Sequence, residues 1–99
     1  MGNINFTKKA VLDLEEIWNY TFQEWSESQA DKYYDEIIQV CNKILISPNT
    51  GKDYSIITKN LKGIPVNKHI IFFRLSSNNN IEITRILHGR MDLKRKFGK

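Results

Sequence analysis

Ile81-Glu82-Ile83-Thr84-Arg85-Ile86-Leu87-His88, continued by Gly89-Arg90-Met91-Asp92-Leu93-Lys94-Arg95-Lys96-Phe97, is the stretch on which the fold of this chain turns. Its first part is rich in β-branched residues and reads as a strand. Gly89 then permits a sharp change of direction. Behind it Arg90, Lys94, Arg95 and Lys96 crowd around Met91, Leu93 and Phe97. A strand therefore delivers a basic, partly apolar segment to one edge of a small domain. The chain upstream reads as its scaffold.

The partner of this strand is His69 to Leu75, a second apolar, β-branched and aromatic run. The polar residues Ser76 to Asn80 between them form a hairpin loop longer than the tight two-residue types. If Leu75 faces Ile81, simple alternation puts Phe73 opposite Ile83, Ile71 opposite Arg85 and His69 opposite Leu87. Ile71, Phe73, Leu75, Ile81, Ile83 and Leu87 then share the face expected to meet the helices. The other face holds Ile70, Phe72 and Ile86 among Arg74, Glu82, Thr84 and His88. That mixture makes Ile70, Phe72, Arg74 and Ile86 candidates for a partner surface. Arg74 opposite Glu82 is expected to form a cross-strand ion pair.

Working outward, Ile4 and Phe6 alternate with Asn3 and Asn5 as a short first strand. Thr7 is an N-cap type, and Val11, Leu14, Trp18, Thr21, Phe22 and Trp25 recur at helical spacing. The Trp pair reads as core. Ser26 followed by Gln29 matches a capping box, so a second helix is expected from Glu27. Ala30, Tyr34, Ile37, Cys41 and Ile44 keep its period, with Tyr33, Val40 and Leu45 beside them. So short a connection forces an antiparallel helix hairpin. Pro48 ends the second helix. A basic connection follows, in which Ile56 and Ile57 are expected to tuck against the body. Gly63 to Val66 is an edge strand because Pro65 has no donor for a ladder. The order is β-α-α-β-β-β: an α+β fold with a helix hairpin on a small, mainly antiparallel sheet.

The 99 residues make one domain, spanning 1–99, with one modest core. No run reaches membrane-spanning length, no signal-peptide pattern opens the chain, and a cytoplasmic protein is expected. The single cysteine, Cys41, excludes an internal disulfide and lies on the apolar stripe as a small hydrophobe. The net charge of +4 conceals a separation. Residues 1–46 carry four Lys/Arg against eight Asp/Glu, and residues 47–99 carry eleven against three. Such a dipole favours an acidic or polyanionic partner for the second half.

Arg85-Ile86-Leu87-His88-Gly89-Arg90-Met91-Asp92 resembles the R-[IV]-L-H-x-x-M-D block of ParE toxins, in the RelE/ParE superfamily of toxin–antitoxin modules. Lys9 to Tyr20 is similar to the family's first helix, A-x-x-D-L-x-x-I-x-x-Y. Gln29 to Tyr33 resembles the start of its second helix, Ser47 to Gly51 its P-x-x-G loop, and His69 to Arg74 its H-x-[IV]-[FY]-[YF]-R strand. Five pieces in the family's order are spread along nearly the whole chain. The resemblance implies a type II toxin that inhibits DNA gyrase by trapping gyrase–DNA complexes and is neutralised by a co-encoded ParD-like antitoxin. Target contacts are then expected at Arg85, His88, Arg90, Met91, Asp92, Lys94, Arg95, Lys96 and Phe97, and antitoxin contacts at Ile70, Phe72, Arg74 and Ile86.

No Gly-rich phosphate loop or metal-spaced cluster is present, so no cofactor, metal or small-molecule substrate is expected. His88 and Asp92 alone make a poor metal pair. RelE-type relatives cut messenger RNA on the ribosome, and Arg74, Arg85 and His88 are the residues that such chemistry would enlist. Arg85 and His88 lie on opposite faces of an ideal strand, and the tail adds no Tyr or His. Non-enzymatic inhibition is therefore the expectation, with the ribosome-dependent endonuclease as the alternative. A nucleic-acid-binding module without a toxin role is the third class that the charge asymmetry permits.

Overall fold

A computed structural model describes residues 3–76 and 79–89. The elements run β1 (Ile4–Phe6), α1 (Lys8–Glu24), α2 (Glu27–Ile46), β2 (Lys52–Asp53), β3 (Lys62–Val66), β4 (His69–Leu75) and β5 (Ile81–His88). Five strands form one sheet in the order β1-β5-β4-β3-β2, all antiparallel except the β1–β5 pair. The helix hairpin packs on one face. This is the expected α+β architecture with one addition, the two-residue strand β2.

Both helices begin where the caps place them. Thr7 accepts a hydrogen bond from the Ala10 amide at 3.1 Å, and Ser26 accepts one from the Gln29 amide at 3.1 Å. The inward stripe of α1 is Ala10, Leu14, Ile17 and Thr21, rotated from the expected one. Trp25 is 75% exposed, and Val11 and Phe22 are also exposed. Small Ala10 lets the helix approach the sheet, and the large aromatics move to its flank. There Trp18 stacks on Phe22 with centroids 5.3 Å apart, and its indole N–H donates to Asp31 of α2 at 3.1 Å. The Trp pair is therefore an inter-helix rim and an exposed cap, not core. On α2 the inward residues are Ala30, Ile37, Cys41 and Ile44, with Tyr34 turned outward. Burial pushes the Cys41 thiol up to about 12, as suits a core hydrophobe.

The β4–β5 hairpin starts in the expected register, with Leu75 opposite Ile81, Arg74 opposite Glu82 and Phe73 opposite Ile83. A β-bulge then intervenes. Thr84 is extra, so Phe72 faces Arg85, Ile71 faces Ile86, Ile70 faces Leu87 and His69 faces His88. Beyond the bulge Ile86, Leu87 and His88 change face relative to simple alternation, while Arg85 still reaches α1. Ile86 joins Ile71, Phe73, Ile81 and Ile83 against the helices, while Leu87 moves to the opposite face.

That opposite face is not open. Tyr54, Ile57 and Leu61 of the β2–β3 connection lie over Ile70, Phe72 and Leu87 as a second small core. Tyr54 meets Phe72 edge-on at 5.1 Å. Gly63 makes this approach possible, since a Cβ there would sit 2.8 Å from the Tyr54 ring. Ile57 tucks in as expected, but Ile56 is 87% exposed. Of the four candidate partner residues on this face, Phe72 and Ile86 are buried core, for the two reasons just given. Only Ile70 and Arg74 remain part-exposed.

Pro65 is accommodated because β2 covers β3 only at Lys62 and Gly63, leaving the ring at the sheet's open edge. Among the described residues no helix is long and apolar enough to cross a membrane.

Candidate functional site

A groove of about 930 Å³ opens where the turn of the helix hairpin meets the β3–β4 turn and the end of β5. α1 contributes Asp13, Glu16 and Tyr20, its C-cap Trp25 lies beside them, and α2 contributes Lys32, Tyr33 and Glu36. Lys68 and His69 close one side, and Arg85 to His88 the other. The elements position these groups in a simple way. Helical spacing puts Glu16 and Tyr20 one turn apart on α1, and the cross-strand pairing brings His69 beside His88.

At the floor Asp13, only 7% exposed, accepts three hydrogen bonds. Arg85 donates from Nε to Oδ2 at 2.8 Å and from Nη2 to Oδ1 at 2.9 Å, and the Ile86 amide donates to Oδ2 at 2.9 Å. The fork-on-carboxylate geometry is the strong form of this pair. The hydrogen bond to Asp13 raises the Arg85 guanidinium further above its ordinary range.

Beside it runs a chain of aromatic polar groups. The Tyr33 hydroxyl lies 3.0 Å from the Val66 carbonyl and 2.7 Å from His69 Nδ1. A carbonyl can only accept, so the single hydroxyl proton goes to Val66. His69 must then donate from Nδ1 to the Tyr33 oxygen. Its ring meets His88 edge to face, with centroids 5.5 Å apart. Burial, with the neighbouring His88, lowers His69 to about 4, and burial with Glu36 pushes Tyr33 up to about 12. His69 is therefore neutral at neutral pH.

This gives a sign for the pH dependence of stability. Between about 6.5 and about 4 the unfolded chain binds the His69 proton and the folded chain does not. Stability therefore falls as pH drops through that window and stops falling from this cause below it. Because the ring is only part-buried, the expected loss is on the order of 1 kcal/mol. Urea melts at pH 7.5, 5.5 and 4.5 should show it, with a shallower decline in His69→Gln. Equal declines in the two proteins would assign the acid sensitivity to other groups.

The expected site residues divide. Arg85 and His88 do converge on the groove, because the bulge and not strand twist brings them there. Arg74 lies near the far end of β4, paired with Glu82 at 3.0 Å as expected. It does not join the other two, so the trio that nuclease chemistry would enlist is not assembled. Arg85 is engaged by Asp13, and the His69 and His88 rings pack edge to face. Arg90, Met91, Asp92, Lys94, Arg95, Lys96 and Phe97 lie outside the described residues. Gly89 marks where the chain leaves for them, its amide donating to the Lys68 carbonyl at 2.9 Å. Among the described residues no group of three or more His, Cys, Asp or Glu is placed to hold a metal ion.

Asp13, Tyr33 and His69 are the residues sequence reasoning did not single out. The signal for Asp13 was an acid on the edge of the inward stripe of α1, matched by a lone Arg85 in an apolar strand.

Comparison with known proteins places this fold in a family. The family described as "ParE toxin of type II toxin-antitoxin system, parDE" matches residues 4–93. The chain is 30% identical to Toxin ParE1 of Mycobacterium tuberculosis over 88 residues, 89% of this chain and 90% of that one. It is 27% identical to Toxin ParE1 of Caulobacter vibrioides over 98 residues, 99% and 100% of the two chains. A solved structure titled "Chromosomal ParDE TA system from P. aeruginosa" shares the fold, with a TM-score of 0.76 at 20% identity, over 89% of this chain and 96% of that one.

Proposed function

The chain belongs to the ParE toxin family of type II toxin–antitoxin systems, and from that premise we propose that it inhibits DNA gyrase by binding rather than by catalysis. The carrying observation is where the chain leaves its scaffold. β5 ends at the rim of the groove, Gly89 is tied to Lys68, and the next eight residues bring Arg90, Lys94, Arg95 and Lys96 with Met91, Leu93 and Phe97. Four cations with apolar anchors suit DNA phosphates or an acidic protein surface beside them. His88 stands at the root of this segment, and Asp92 is its one opposing charge. The action is in the cytoplasm, where gyrase and DNA are.

The antitoxin, a ParD-like protein, takes the groove. Tyr20 and Trp25 offer exposed aromatic surface there, and Lys32 and Lys68 are balanced by Glu16 and Glu36. Such a lining suits an amphipathic segment that folds on binding. Ile70 and Arg74 are what remains of the surface expected from the sequence, at the margin of the second core.

The test is charge reversal at Lys94 and Arg95. Trapped gyrase–DNA cleavage complexes, assayed with purified gyrase, should fall at least tenfold at an unchanged melting temperature. Inhibition by the native chain should also weaken as salt is raised. Undiminished trapping by the double reversal would remove this segment from the contact. Codon-positioned message cleavage in a translating system, lost in His88→Ala, would replace the proposal with the ribosome-dependent endonuclease.

A further inference from the structure

A buried ion pair contributes little net stability and is best attested as a device that sets a register. The β5 strand needs one. Past the bulge two registers can be drawn, the observed one and the one without the bulge, and they differ in whether Ile86 or Leu87 faces the helices. These side chains are isomers of equal volume, so packing alone scarcely chooses between them. Alternation in the sequence favours the register without a bulge. The observed register has the bulge, and two side chains from the start of α1 hold it. Thr7 donates its hydroxyl proton to the carbonyl of the extra residue, Thr84, at 2.8 Å. Asp13 takes the Arg85 guanidinium and the Ile86 amide together.

We propose that Asp13 is a positioning residue: with Arg85 it keys β5 to the bulged register and so sets where the C-terminal segment leaves the domain. One residue of slip would turn His88 to the other face and move the exit by about 3.3 Å along the strand. Gly89 would lose its place against Lys68. The consequence for inhibition rests on the reading above, in which the segment after Gly89 meets the target. The register claim does not.

Cysteine trapping in the full chain separates the two. His69 and His88 are opposed in the observed register, whereas His69 would oppose Leu87 without the bulge. Opposed residues of antiparallel strands lie within disulfide reach. His69→Cys with His88→Cys should therefore crosslink under mild oxidation, and His69→Cys with Leu87→Cys should not. Cys41, buried with its thiol pushed up to about 12, does not compete. Each pair is then placed in a background where Asp13→Leu and Arg85→Met replace the ion pair by apolar groups, which removes both charges and leaves the Ile86 amide without its acceptor as the cost. The 69–88 crosslink is expected to fall at least fivefold and the 69–87 crosslink to appear. Without the engineered cysteines the same background should trap gyrase at least tenfold less well while circular dichroism still shows it folded. Should the double replacement fail to fold, Asp13→Asn gives the same comparison with the shape conserved. An undiminished 69–88 crosslink would overturn the register role. A shifted crosslink with full gyrase trapping would uphold the register role and overturn the reading of the C-terminal segment as the contact.

Discussion

Phe72→Ala is expected to lower stability by about 3–5 kcal/mol, and Phe72→Asp to leave no folded population. Phe72 is 0% exposed between Leu61 and Leu87, with the Tyr54 ring edge-on against it. Alanine opens a cavity under the β2–β3 connection and deprives Tyr54 of its edge-to-face partner. Aspartate places an unpaired carboxylate where no described side chain is positioned to receive it. For a domain of this size the total stability is about 5–15 kcal/mol, so the first change removes much of it and the second exceeds it. Urea melts followed by circular dichroism measure the alanine variant, and one-dimensional NMR dispersion decides the aspartate variant. A folded Phe72→Asp protein would mean that the connection does not cover this face, returning it to the surface role that alternation suggested.

That contrast shows how far the sequence carries. Local signals were legible because local chemistry determines them. Thr7, and Ser26 with Gln29, start the helices where their hydroxyls meet free amides, and Ser47-Pro48 lies where α2 stops. The loop end of the hairpin was legible too, since Leu75, Phe73, Ile81 and Ile83 alternate cleanly. What alternation does not record is an inserted residue. Thr84 is as good a strand residue as any, and only its contacts with Thr7 and Phe72 reveal that it is the extra one. The error then spread to Ile86, Leu87 and His88, which is why Ile86 and Leu87 exchanged faces. The helix stripe was misplaced for a different reason. Aromatic bulk was taken as a mark of burial, whereas tight approach to the sheet selects Ala10 and sends Trp18 and Phe22 to the flank. For the site, Arg85 and His88 were visible as polar residues in an apolar strand. Their partners Asp13 and His69 are more than ten residues away in sequence, and only the fold joins them.

Asp13→Ala should be the most costly single change on the helices, about 3–5 kcal/mol. The loss has two parts. The Arg85 guanidinium, whose side chain is 15% exposed, keeps its charge and loses its carboxylate. The Ile86 amide, buried in the core, loses its acceptor as well. Arg85→Ala should cost less, because the Ile86 amide still satisfies one oxygen of Asp13. The two changes together should cost less than their sum, since once one partner is gone the other is a liability rather than a contact. A thermodynamic cycle from urea melts of Asp13→Ala, Arg85→Ala and the double variant measures this directly. Coupling of about 2–3 kcal/mol is expected for a pair this enclosed, far above the few tenths typical of an exposed pair such as Arg74 with Glu82. Coupling below about 0.5 kcal/mol would place Asp13 and Arg85 among ordinary surface ion pairs. The bulged register would then have to be held by Thr7 and side-chain packing alone.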